Sequence, residues 1–141
     1  MRAYTFLIVL LSLCGCAIEQ PAEAPASSSA PRNMARTTES GQRQRIDFYS
    51  ALNPDCTPEG YATVRVITPP VHGALTTDRG IDYTNYSREN QRYQCNLKQS
   101  PVVNVYYQSS PGYVGPDTVT IEWGPPNSSV TRTSTYTITV R

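Results

Sequence analysis

Apolar residues in the last third of the chain recur at every second position. Val119, Ile121 and Trp123 alternate with Thr118, Thr120 and Glu122, and Tyr136, Ile138 and Val140 alternate with Thr135, Thr137 and Thr139. A strand sends successive side chains to opposite faces, so this rhythm predicts strands buried on one side. The same reading extends upstream. Val102 to Gln108 puts Val103, Val105 and Tyr107 on one face. Tyr61 to Thr68 does so with Ala62, Val64 and Val66, and Arg45 to Ala51 with Ile46, Phe48 and Ser50. Val71 to Thr77 reads as a short strand, Asp78-Arg79-Gly80 as a turn into Ile81 to Thr84, and Cys95 to Leu97 as a brief strand. Between them lie Asn53 to Gly60, Ser110 to Pro116 and Gly124 to Asn127, loops by their Pro, Gly, Asn and Asp content.

That makes about seven strands over residues 43–141, and no 3.6-residue period among them. The expectation is an all-β fold, a single immunoglobulin-like β-sandwich, with a small Greek-key barrel as the alternative. A chain of 141 residues is one domain by length, too short for a (β/α)8 barrel or a two-half dinucleotide fold. Charged residues are only 16% and the net charge is +1. That balance excludes a broad basic footprint, so no nucleic-acid partner is expected.

The N-terminus points to export. Arg2 precedes an apolar run from Tyr4 to Leu13, the length of a signal-peptide core and too short to span a bilayer. Leu13-Cys14-Gly15-Cys16 resembles a bacterial lipobox, with leucine three positions before Cys16 and glycine immediately before it. The resemblance implies cleavage after residue 15 and a diacylglycerol thioether on Cys16, so that the membrane is reached through a lipid anchor. Ordinary secretion with cleavage near Gly15 or Ala17 is the alternative. Residues 16–42 are rich in Ala, Pro, Ser, Glu, Gln and Arg, with Ile18 and Met34 nearly the only large apolar side chains. Such a stretch buries too little surface to offset ordering, and it reads as a disordered tether.

The stretches PPVHGAL, IDYTNY and PGYVGPDTVTIEW resemble bacterial immunoglobulin-like domains of the cadherin-like kind. The residues that carry the likeness are Pro70, Gly73 and Tyr83, then Pro111, Gly112, Tyr113, Gly115 and Asp117, over about Tyr61 to Arg141. The resemblance implies the sandwich fold and brings no catalytic residues with it. Residues Tyr86 to Gln99 interrupt the pattern as an insert.

Cys56 and Cys95 remain after the leader, and an even pair in an exported chain predicts a disulfide. His72 is the only histidine, and no GxSxG elbow accompanies it, so no catalytic residue is assigned. One histidine and two paired cysteines cannot supply a zinc site, and Asp78, Asp82 and Asp117 form no D-x-D-x-D-G loop. No metal and no cofactor are therefore expected, and Asp117 is expected to hydrogen-bond turn amides. The candidate binding residues are Tyr86, Arg88, Arg92 and Tyr93, because the insert is an irregular loop and Tyr and Arg dominate binding hot spots. A loop that only covers a sheet edge is the competing use.

The sequence thus reads as a non-enzymatic cell-envelope lipoprotein. Its regions are a signal peptide at 1–15, lipidated Cys16 and tether over 16–42, and the sandwich at 43–141. Its expected partners are an envelope protein or a glycan, and its expected place is the outer membrane of a diderm bacterium. A soluble secreted interaction domain and a small hydrolase using His72 are the alternatives.

Overall fold

The computed structural model describes residues 30–141. The expected signal peptide, Cys16 and the tether up to residue 29 lie outside the described residues.

Eight strands run in chain order as β1 Arg32–Thr38, β2 Arg43–Leu52, β3 Pro58–Gly60, β4 Thr63–Thr68, β5 Gly73–Tyr83, β6 Gln99–Ser109, β7 Gly115–Gly124 and β8 Arg132–Val140. They form two four-stranded sheets, ordered β1-β8-β7-β4 and β3-β2-β6-β5. The all-β sandwich is therefore present, as two separate sheets rather than a closed barrel. Between the sheets lie Val103, Val105 and Tyr107 from β6, Val119 and Ile121 from β7, and Tyr136, Ile138 and Val140 from β8, all buried. These are the alternating positions of the sequence. Each buried side chain of this size contributes about 1.5–3 kcal/mol by removal from water.

Four expectations are corrected. The first concerns the tether, because Arg32–Thr38 is a strand, paired in parallel with β8 from Arg32 opposite Ser134 to Thr38 opposite Val140. The ordered domain thus starts before residue 43. Composition misses it because an edge strand can be held mainly by main-chain bonds, here with only Met34, Arg36 and Thr38 turned toward the interior. The second concerns β2, where a bulge between Arg45 and Asp47 shifts the alternation. Ile46 is buried as expected, but beyond the bulge Tyr49 and Ala51 face the core while Phe48 and Ser50 are only half-buried.

The third is the turn at Asp78-Arg79-Gly80, which lies inside the continuous strand β5. Asp78 accepts from Asn104 Nδ2 at 3.0 Å and pairs with Arg43 at 3.2 Å, so its carboxylate bonds across strands instead of capping a turn. Gly80 fits because a Cβ there would stand 2.9 Å from Asn104 Nδ2. The fourth is Cys95 to Leu97, which belongs to a 3-10 turn over Tyr93–Leu97.

Cys56 and Cys95 form the expected disulfide, with Cα atoms 5.2 Å apart. It ties the β2–β3 loop to the 3-10 turn, where Cys95 is fully buried.

Candidate functional site

The insert is held down by a side-chain amide. Asn96 Oδ1 accepts from the Thr84 hydroxyl at 2.8 Å and from the Tyr86 N–H at 2.9 Å, and Asn96 Nδ2 donates to the Tyr86 carbonyl at 2.9 Å. Tyr86 is thereby fixed over β2, with its hydroxyl 3.0 Å from Ser50 Oγ. Arg92 is fixed for a different reason. Leu52 lies opposite Pro58, which has no N–H to give, and the Arg92 Nε–H donates to the Leu52 carbonyl instead.

These two residues form one wall of an open groove of about 700 Å³. The facing wall comes from Arg32, Met34 and Arg36 on β1, with Trp123 and Arg132 from the β7 and β8 ends. The floor is β2 from Asp47 to Leu52. Arg88 and Tyr93 do not line it: Arg88 is exposed on the insert, and Tyr93 is exposed at the start of the 3-10 turn. The four candidates therefore divide, two at the groove and two away from it.

Beneath the groove lies a polar and aromatic cluster that the sequence did not single out. The Tyr136 hydroxyl donates to Asp47 Oδ2 at 2.6 Å, and the Tyr49 hydroxyl bonds to that of Tyr136. Burial pushes both phenols above their ordinary range, and for Tyr136 the neighbouring Asp47 carboxylate adds to the rise. Both hydroxyls thus stay protonated at neutral pH. Tyr49 stacks on Trp123 with ring centroids 4.6 Å apart, and Arg132 lies over the Trp123 ring at 5.5 Å. Trp123 Nε1–H donates to Ser134 Oγ at 3.2 Å. Asp47 also accepts from the Phe48 N–H at 2.8 Å and faces Arg36 at 3.5 Å. Its oxygens are engaged internally, so the cluster acts as a rigid wall rather than as an acid or base aimed at solvent. A period-two reading hides it, since Tyr49 and Asp47 enter the interior only through the bulge.

Toward the other pole of the sandwich, the His72 ring stacks on Tyr113 at 4.1 Å between centroids. The expectation for Asp117 holds there. It accepts from the N–H groups of Val71, His72 and Thr118 and from the Tyr107 hydroxyl at 2.9 Å. Gly73 follows in the chain because a Cβ would lie 2.5 Å from the Gln108 carbonyl oxygen and 2.8 Å from the Tyr107 ring. Burial pushes the Asp117 carboxyl up, but the three amides and the Tyr107 hydroxyl outweigh it and hold it below the ordinary range. A depressed native value means that the carboxylate contributes stability above the unfolded value of about 3.9, and that this is lost as pH falls through the native one. Asp117→Asn should cost about 2 kcal/mol at neutral pH and flatten the acid limb of a stability–pH curve. Equal acid sensitivity of variant and parent in urea titrations at several pH values would refute this.

Among the described residues no cluster of three or more His, Cys, Asp or Glu could hold a metal ion. No described helix is long and apolar enough to cross a membrane.

No family model matches the sequence, and neither does any curated protein. Among solved structures, the solution structure of amebosin is similar at a TM-score of 0.41 and 12% identity, over 79% of this chain and 99% of that one. So loose a likeness carries no argument.

Proposed function

We propose that the chain is a non-enzymatic envelope lipoprotein whose immunoglobulin-like sandwich is a binding module. The observation that carries the binding role is the groove, where the insert residues Tyr86 and Arg92 meet Arg32 and Arg132 over a rigid floor. Firm scaffolding of exposed polar groups suits recognition, because little freedom remains to be lost on binding. The alternative use of His72 has less behind it: the ring is stacked on Tyr113, and its main chain is tied to Asp117.

Strand order supports the immunoglobulin-like reading. One sheet carries β4-β7-β8 and the other β2-β6-β5, as the C-F-G and B-E-D strands are shared out in that fold, with β1 beside β8. Lipid anchoring rests on Leu13-Cys14-Gly15-Cys16. Cys16→Ala should release the protein from the membrane fraction, and mass spectrometry of the native N-terminus should find acylated Cys16. A mature chain that begins at Ala17 without lipid defeats the anchor and favours the secreted interaction domain. Chemical crosslinking in intact envelopes should capture a partner through the groove.

A further inference from the structure

Among the described residues, the floor of the groove is a sheet edge left unpaired. β2 bonds to β6 along one side, but on its other side β3 reaches only Ala51 and Leu52. Two outward carbonyls bracket the gap. That of Ile46 takes the Arg36 Nε–H, and that of Leu52 takes the Arg92 Nε–H. Strand alternation puts the main-chain groups of Phe48 and Ser50 on the same edge. The Phe48 N–H confirms the direction, since it is met there by its own neighbour, Asp47 Oδ1. The Phe48 carbonyl and the Ser50 N–H remain, since the pairing of Ala51 with Gly60 takes up the Ser50 carbonyl.

The groove is also unevenly charged. Arg32, Arg36, Arg92 and Arg132 line it against Asp47 and Glu59. Asp47 is engaged by Arg36 and Tyr136. Arg32 and Arg132 are exposed, and among the described residues neither has a carboxylate partner. They lie close together, because β1 and β8 run in parallel with Arg32 opposite Ser134. Guanidinium groups in this setting favour carboxylates, which they bind with two parallel bonds. A sugar would need an open aromatic face, and Trp123 has Tyr49 against its ring and Arg132 over it.

We propose that this groove takes an extended acidic peptide segment of another protein, which adds as a strand to the Phe48–Ser50 edge and sets its carboxylates against Arg32 and Arg132. The inference rests on the binding-module reading and names its partner class. Main-chain pairing would supply affinity and the arginines the choice of sequence.

The test uses the full-length chain and the peptide acetyl-Thr-Glu-Val-Glu-Val-Glu-Thr-amide. In amide-resolved NMR, binding should slow hydrogen exchange at Ser50 and move the Phe48 and Ser50 signals most. The same peptide with N-methylated valines, or with lysine for each glutamate, should bind about tenfold more weakly or worse. Arg32→Ala with Arg132→Ala should lose a similar factor while circular dichroism stays unchanged, since both side chains are exposed. Equal binding of the N-methylated peptide overturns the proposal, as does polygalacturonate producing these shifts where the peptide does not. Slow Ser50 exchange in the free protein also overturns it: at high dilution that means the residues before Ala30 cover the edge, and only at high concentration it means a second copy does. Failure of the peptide with envelope crosslinking intact overturns this inference alone, and failure of both overturns the binding-module reading with it.

Discussion

Tyr136→Ala is expected to remove most of the stability of the domain. Tyr136 is fully buried between the sheets, and truncation of a buried aromatic ring costs about 3–5 kcal/mol through lost burial and the cavity left behind. The substitution also takes the donor from Asp47 and the partner from the Tyr49 hydroxyl, which leaves polar groups facing a void. Against a total stability of about 5–15 kcal/mol, the variant should be largely unfolded at 37 °C or close to it. Tyr136→Phe separates the two contributions. It keeps the ring and loses only the hydroxyl, at about 1–3 kcal/mol. Urea titration followed by Trp123 fluorescence reads both, because Trp123 stacks on Tyr49 within the same cluster. If alanine and phenylalanine cost the same, packing of the ring contributes nothing and the account given for this cluster is wrong.

Opening the Cys56–Cys95 bridge is the second large change. The bridge spans 39 residues, and the chain-entropy estimate for such a loop is about 4 kcal/mol. The loss should fall unevenly. The core strands pair without the bridge, whereas Asn96, Tyr86 and Arg92 depend on the segment that Cys95 anchors. Cys56→Ser with Cys95→Ser should therefore lower the urea midpoint while a β-type circular dichroism spectrum persists. Hydrogen exchange at residues 84–98 should rise well before exchange in β6, β7 and β8. A double variant with parental exchange in that segment would show that the insert is held by other contacts.

What was legible in the sequence follows the physics of each element. Val119 and Ile121, and likewise Tyr136, Ile138 and Val140, announced themselves because these strands have one face fully buried and no irregularity. Cys56 and Cys95 were legible because the expected leader sets Cys14 and Cys16 aside, and the two cysteines left allow only one pairing. The bulge in β2 was not, since nothing in Arg45-Ile46-Asp47 marks where a partner strand skips a residue. The strand β1 escaped for the reason given above: its main chain does the holding, and main-chain bonds leave no compositional trace. The groove was half legible. Tyr86 and Arg92 stand out in an irregular insert, but Arg32 lay in a stretch read as tether, and no motif singles out Arg132. Their convergence depends on the parallel register of β1 with β8, which is set by tertiary packing and not by local pattern.

That register also governs how the domain responds to being pulled. β1 and β8 point the same way, so the chain enters β1 at the pole marked by Ser134 and leaves β8 at the opposite pole, beyond Val140. Tension applied to the two ends draws these strands past each other lengthwise. Every rung from Arg32 to Thr38 then bears load at once, and none can yield singly as the teeth of a zipper do. The strand that joins the domain to everything before it is thus attached in its mechanically strongest direction, although it buries little of its own surface.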